Sequence, residues 1–189
     1  KALIEQGKLA CILGGDHSSP YGLIKSLSEK YDNFGILHID AHLDLRLAYE
    51  GFKWSHASIM RNVWDQFKQV TKLVSVGIRD FSYEEKTYAK QQGDRSQIFF
   101  DRNMFRSRQK DTSFATHVKN IIESLPEHVY VSFDIDGLNP LLCPNTGTPV
   151  PGGLEFNEAC YLLEELALSS RKIIAFDLCE VAPGQGDIS

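Results

Sequence analysis

The chain has 189 residues, of which 42% are hydrophobic and 24% are charged, and its formal net charge is −5. This composition is typical of a globular protein and predicts a single domain over residues 1–189. The negative charge gives no reason to expect a nucleic acid or an anionic membrane as a partner. No apolar run in the sequence approaches the length that spans a bilayer.

The four cysteines show no paired spacing, which predicts free thiols in a reducing, cytoplasmic setting. Cys11 and Cys179 lie in apolar runs of strand character, where we expect buried thiols. Lys1 falls inside an apparent helix-to-strand connection, and the chain stops soon after a motif of interest. These ends predict a fragment that is truncated on both sides.

Apolar runs of strand length alternate with runs of helical period along most of the chain. The predicted strands are Leu9–Leu13, Gly35–Ile39, Lys72–Val76, Gln97–Phe100, Val129–Phe133 and Ile173–Phe176. The predicted helices begin near Ser18–Pro20 and then cover about Ala57–Phe67, Tyr83–Gln92, Phe114–Leu125 and Glu155–Ser169. This alternation predicts an α/β fold with three layers, α/β/α, around a central parallel sheet.

The second predicted strand ends in unusual polar chemistry. Asp40, His42 and Asp44 follow it at alternate positions, and residues two apart in an extended chain point the same way. Carboxylates and an imidazole at the end of a buried strand are costly unless something compensates them. A divalent cation is the obvious partner, since both groups are common metal ligands. A helix N-cap at Asp44 is the alternative, but it explains only one of the three residues.

Other polar residues also follow predicted strands, and ligands bind at this carboxyl edge in open α/β sheets. Glu180 follows the sixth strand. His17 follows the first strand, and Asp134 and Asp136 follow the fifth, so the candidate metal ligands number six without Glu180. These ligands are His17, Asp40, His42, Asp44, Asp134 and Asp136. They are too many for one tetrahedral zinc. Two divalent cations roughly 3.5–4 Å apart, sharing carboxylates and a water, would satisfy the set, and its oxygen-rich character favours Mn²⁺.

Four motifs, in this order, resemble the signatures of the ureohydrolases, a family that includes arginase, agmatinase and formimidoylglutamase. They are Gly14-Gly15-Asp16-His17, Asp40-Ala-His-Leu-Asp44, Ser132-Phe-Asp-Ile-Asp136 and Glu180-Val181. The resemblance runs across nearly the whole chain and implies an arginase–deacetylase fold with two Mn²⁺ per subunit. It also implies a homo-oligomer, either a trimer or a hexamer.

The resemblance further implies a role for each matched residue. One manganese would be held by His17, Asp40, Asp44 and Asp134, and the other by Asp40, His42, Asp134 and Asp136. The expected reaction is hydrolysis of a guanidino or amidino group with release of urea. Asp136 would pass a proton to the leaving nitrogen, and Glu180 would pair with the planar cationic group of the substrate. His56 matches the family's proton-shuttling histidine, although an exposed histidine at a helix start is the alternative.

The residues around these motifs leave the substrate open. Trp54-Ser-His56 looks more like agmatinase, whereas Arg46 resembles formimidoylglutamase and could bind a carboxylate or form a structural salt bridge. Trp54 could line the pocket or pack a loop. We favour an agmatinase-like enzyme, with arginase or formimidoylglutamase activity as the alternative. A deacetylase-type amidohydrolase with one zinc and a non-catalytic scaffold are two further hypotheses. His38 is expected to be a core histidine or one that supports a ligand, and Asp16 is expected to orient a ligand or loop.

Overall fold

A single sheet of six parallel strands forms the centre of the computed structural model, which describes residues 2–184. Its strands are β1 (Ala10–Leu13), β2 (Phe34–Ile39), β3 (Val70–Ile78), β4 (Ser96–Phe100), β5 (His128–Asp134) and β6 (Lys172–Cys179). The α-helices are α1 (Ala2–Glu5), α2 (Tyr21–Ser28), α3 (Ile59–Gln66), α4 (Tyr83–Gln91), α5 (Asp101–Arg108), α6 (Phe114–Glu123) and α7 (Phe156–Leu168). The predicted α/β class with a central parallel sheet is confirmed.

The strand order, β1-β6-β5-β2-β3-β4, places β2 between β5 and β3. After β1 and α2, the chain builds outwards from β2 through β3 to β4. It then returns so that β5 lies on the other side of β2. Such a reversal leaves a crevice at the carboxyl ends of the strands that flank it, which is where ligands bind in open α/β sheets. The topology therefore directs the loops after β2 and β5 towards one site.

Helices cover both faces of the sheet and produce two apolar cores. Residues of α2, α3 and α4, such as Ile24 and Trp64, belong to one buried cluster. Residues of α5, α6 and α7, such as Val118 and Leu162, belong to the other. All six residues of β2 are buried because this strand lies at the middle of both cores, which explains its nearly continuous apolar sequence.

Sequence reasoning misjudged one cysteine and missed helix α5 at the margins of this fold. Cys11 is exposed rather than buried, because it lies on the edge strand β1, where only Ala10 is buried. Cys179, by contrast, is buried as predicted. Helix α5 was not predicted, because its sequence is mostly polar and only Met104 of its residues is buried. Within residues 2–184, no helix combines the length and the apolar character needed to span a membrane.

Candidate metal centre

The six predicted metal ligands form one cluster centred on Asp40. The two carboxylate oxygens of Asp40 face different histidines. On one side, His17 Nδ1 lies 3.1 Å from Asp40 Oδ2, 3.0 Å from Asp44 Oδ2 and 3.4 Å from Asp134 Oδ2. On the other side, His42 Nδ1 lies 3.3 Å from Asp40 Oδ1 and 3.2 Å from Asp136 Oδ2. The carboxyl ends of β2 and β5 and the loop after β1 thus supply one continuous cluster.

Potential ligand atoms in this cluster form two groups, and the atoms of each group lie within 4.8 Å of one another. His17, His38, Asp40 and Asp44 make the first group, and Asp40, His42 and Asp136 make the second. His38, which was expected to be a core histidine or one that supports a ligand, is a member of the first group. Asp40 belongs to both groups. A donor set of carboxylates and imidazoles with one shared carboxylate fits two neighbouring divalent ions better than it fits one.

Two glycines allow the backbone around Asp40 to pack tightly. A Cβ atom at Gly137 would lie only 2.8 Å from the backbone nitrogen of Asp40. Gly77 has a φ of +89°, and a Cβ there would lie 3.1 Å from the Asp40 carbonyl oxygen. Any larger residue at Gly137 would push the loop after β5 away from β2. These glycines therefore help to bring Asp136 to its place beside Asp40.

Asp44 and Glu180 adopt the left-handed backbone region, with φ of 54° and 61°. This conformation costs a non-glycine residue about 1–2 kcal/mol, and such strain is concentrated at functional sites. The backbone of Glu180 is held by its N–H, which donates to the Gly15 carbonyl at 2.9 Å. Its Oε1 accepts a hydrogen bond of 2.9 Å from the backbone N–H of His17. Glu180 thus joins the end of β6 to the loop that carries His17.

Arg79 fixes the loop that follows Asp136, through bonds to backbone carbonyls. Its guanidinium donates to the carbonyl oxygens of Asp136 at 2.6 Å, Leu138 at 3.1 Å and Val150 at 2.9 Å. Thr148, from the same loop, donates to Asp136 Oδ2 at 3.2 Å. The backbone and the side chain of Asp136 are therefore both held.

The electrostatics of the cluster show how strongly it attracts positive charge. Burial lowers the pKa of His17, but hydrogen bonds to Asp40 and Asp44 raise it well above its ordinary value. Burial also opposes the charged form of His42, yet Asp136 and Asp40 raise its pKa to about 11. Burial and the Asp40 charge raise the pKa of Asp134 to about 10. Bound protons therefore neutralise carboxylate charge that metal cations would otherwise neutralise.

A pocket opens in front of the cluster, on the side of His42. Its other walls are formed by Asp44, Arg46, Tyr49, His56, Ala57, Asp80, Phe81, Glu85, Asp134, Thr148 and Glu180. His56 begins a short 3₁₀-helix, and its ring lies 5.4 Å from the ring of Tyr49. The structure thus places His56 and Glu180 in the wall of one pocket.

Arg46 and Trp54, from the same loop as His56, differ in their position relative to this pocket. Arg46 lines it, and its Nε lies 3.7 Å from Glu85 Oε2, so Arg46 both faces the pocket and pairs with Glu85. Trp54 instead packs against Tyr21, with ring centroids 4.9 Å apart, and it does not line this pocket. Asp16 accepts hydrogen bonds from the backbone and hydroxyl of Ser18, which orients the loop before α2.

Sequence reasoning missed Asp80 in the pocket wall and Asp177 beneath the cluster. Asp80 follows β3 at the same edge of the sheet as the metal ligands, so the rule that found them also applies to it. Asp177 lies within β6 and is 1% exposed. A carboxylate inside an otherwise apolar strand is a signal in itself, because burying an unpaired charge is costly.

Comparison with known proteins identifies the family of the chain. Residues 1–188 match the arginase family. The chain belongs to the arginase family. It is 33% identical to an N(1)-aminopropylagmatine ureohydrolase of Thermus thermophilus over 181 residues, which are 95% of this chain and 57% of that protein. It is 36% identical to an agmatinase of Pyrococcus horikoshii over 174 residues, which are 92% of this chain and 55% of that one.

Solved structures of the arginase family share this fold. The structure of a putative agmatinase from Clostridium difficile superposes with a TM-score of 0.80 at 28% identity, covering 96% of this chain and 61% of that one. The chain therefore spans a little over half the length of the curated relatives that it matches.

Proposed function

We propose that this chain carries the catalytic centre of a ureohydrolase, which uses two Mn²⁺ ions to cleave the guanidino group of a small linear substrate and release urea. The observation that carries the proposal is the pair of ligand groups that share Asp40 beside an open pocket. We assign one ion to His17, Asp40, Asp44 and Asp134, and the other to Asp40, His42, Asp134 and Asp136. Two such ions would lower the pKa of a coordinated water and supply a hydroxide nucleophile near neutral pH.

Residues beside the ions would bind the substrate and transfer the proton. A guanidinium carbon is a poor electrophile because its charge is delocalised, so the reaction needs a strong nucleophile. The substrate must also be held in the correct orientation for attack. Glu180 is anchored through its backbone and through one oxygen. Its carboxylate would pair with the planar cation of the substrate. Asp136 would receive a proton during attack and deliver it to the leaving nitrogen.

His56 completes the proposed proton path between the pocket and solvent. Its side chain is half-buried in the pocket wall and packs edge-on against Tyr49. An imidazole in this position can relay a proton between the pocket and solvent, because one of its ring nitrogens can accept a proton while the other donates one.

We favour a substrate of the agmatine type, with a guanidino group at one end and an ammonium at the other. The named relatives support this choice, since they are an agmatinase and an N(1)-aminopropylagmatine ureohydrolase. The pocket offers a second reason, because its exposed Asp80 carboxylate could pair with an ammonium. Arg46 is the observation that favours the second candidate, a substrate with a carboxylate such as arginine, a guanidino acid or formimidoylglutamate.

The decisive experiment measures urea release from agmatine, arginine and guanidinobutyrate, together with turnover of formimidoylglutamate. We expect agmatine to be the best substrate of the manganese-loaded protein. Asp136→Asn should lower urea release by about 10²–10⁴-fold, because the proposed proton carrier is lost. Full activity of that variant with both ions bound would refute the role of Asp136.

Metal analysis separates the proposal from its main alternatives. Two manganese ions per chain are expected, whereas a single zinc would favour a deacetylase-type amidohydrolase. Two bound ions without any turnover would favour the non-catalytic scaffold.

We also propose a reducing, cytoplasmic location and assembly into trimers or hexamers. Four free cysteines support the first. Sedimentation analysis of the purified protein tests the second.

A further inference from the structure

Four buried polar residues form a row across the sheet, one layer inside the proposed metal centre. Strand register places Ser75 of β3 and Ser132 of β5 on either side of His38 in β2, and Asp177 of β6 beside Ser132. Each of the four is at most 1% exposed. Polar groups buried this deeply are costly unless they have partners. We call Ser75, His38, Ser132 and Asp177 the supporting row.

The supporting row contacts two of the proposed ligands from below. His38 Nε2 lies 2.8 Å from Asp40 Oδ2. Ser132 Oγ lies 2.9 Å from His17 Nε2, and Asp177 Oδ1 lies 3.8 Å from the same nitrogen. His17 therefore has its Nε2 atom engaged by the row and its Nδ1 atom free to face the carboxylates of the centre.

Contacts at His38 determine which of its nitrogens carries a proton. Its Nδ1 lies 3.3 Å from Ser75 Oγ, and a hydroxyl can donate to an imidazole nitrogen. The other nitrogen, Nε2, must then be the donor to Asp40, because an ionised carboxylate only accepts hydrogen bonds. Both ring nitrogens are thus engaged, and His38 has no lone pair directed at an ion.

The supporting row contacts more residues of the first ligand group than of the second. Among residues 2–184, it contacts both His17 and Asp40 of the first group. It meets the second group only through Asp40, since the side-chain partners of His42 and Asp136 lie elsewhere.

We propose that His38 is a positioning residue for the proposed metal centre: its hydrogen bond, backed by Ser75, fixes the orientation of Asp40 and so retains the ion that His17 holds. This inference rests on the proposed function for the metal centre but not on its substrate. Groups that orient metal ligands typically change affinity by about 10–100-fold when they are replaced. The effect should fall mainly on the ion assigned to His17, because His38 bonds to Asp40 Oδ2, the oxygen that faces His17, whereas Oδ1 faces His42.

The test measures manganese binding by equilibrium dialysis and follows the ion pair by electron paramagnetic resonance. His38→Phe keeps the ring volume but removes the donor. It should weaken one ion by about 10–100-fold and convert the spectrum of a coupled pair into that of an isolated ion. His38→Gln restores an N–H donor and should recover part of that affinity.

His117→Phe is the matched control. It removes another histidine that is bonded to a serine, since His117 Nε2 lies 2.7 Å from Ser107 Oγ. This pair lies on α5 and α6, outside both ligand groups. The control should bind two ions as the unmodified protein does.

Two results would overturn the inference. One is unchanged binding of both ions by a folded His38→Phe variant, and the other is an equal loss in His38→Phe and His38→Gln. Circular dichroism of the metal-free proteins establishes folding. If His38→Phe does not fold, Ser75→Ala replaces it, with weaker binding of one ion expected and unchanged binding contradicting the proposal. An unmodified protein that binds two ions but releases no urea would count against the proposed function alone.

Discussion

His17 and His42 lie on opposite sides of Asp40, yet their surroundings differ. The side chain of His17 is 1% exposed, and its outer nitrogen faces Ser132 inside the protein. The side chain of His42 is 23% exposed, and its outer nitrogen faces Asp80, which is itself 67% exposed. One half of the centre is therefore held by the sheet, and the other half opens onto the pocket. We expect changes in the buried half to alter metal retention and changes in the open half to alter turnover.

The largest effect is expected where the two halves meet. Asp40→Asn changes a carboxylate that belongs to both ligand groups and to both proposed ion sites. Manganese content should fall close to zero, and urea release should fall by at least about 10³-fold, because the nucleophile depends on the ions. Metal analysis after gel filtration and a urea assay measure the two effects.

Asp65→Asn is a suitable control, since Asp65 pairs with Arg61 on the surface of α3. Retention of both ions by Asp40→Asn would show that the halves do not share this residue.

Metal affinity should rise with pH in both halves. Without metal, the pKa of His42 is about 11 and that of Asp134 is about 10, so both groups hold protons at neutral pH. Ligands must lose these protons before they bind an ion. For each proton that the ion displaces, the affinity for manganese should rise about tenfold per pH unit. Manganese titrations at pH 6, 7 and 8 test the slope, and an affinity independent of pH would contradict it.

His56→Asn should affect only the open half. The proton path to solvent would be lost, which should lower kcat by between about tenfold and a hundredfold while both ions remain bound. Imidazole added to the buffer should restore part of the rate. His128→Asn is the control, because His128 packs against Tyr31 at the start of β5. A loss of metal in His56→Asn would place His56 in the ligand set instead.

The smallest effect is expected at the pocket rim. Asp80→Asn should lower kcat/KM for agmatine by a few fold, since an exposed ion pair contributes little. The same variant should not change kcat/KM for butylguanidine, which has no ammonium at its far end. An equal decrease for both substrates would show that Asp80 acts through His42 rather than on the substrate.

The sequence was most informative where burial and polarity coincide. Alternate polar residues after an apolar strand were sufficient to predict a cluster around Asp40, and the rule for parallel sheets placed Asp134 and Asp136 beside it. Features that depend on which strands pair, and in which register, could not be predicted from the sequence. The contact of His38 with Ser75 exists only because β2 and β3 pair in one register. Cys11 was misjudged for the same reason, since nothing local distinguishes an edge strand from a central one.

The position of β5 beside β2 has a consequence for how the protein acquires metal. His17, Asp40 and Asp134 are far apart in the chain and meet only when β5 has inserted between β2 and β6. Contacts between such distant segments form slowly, because a long loop must close first. An early folding intermediate that contains only β2, β3 and β4 would lack half of the ligands. Ion capture should therefore be a late event in refolding, and added manganese should stabilise the final state without accelerating the first steps of collapse.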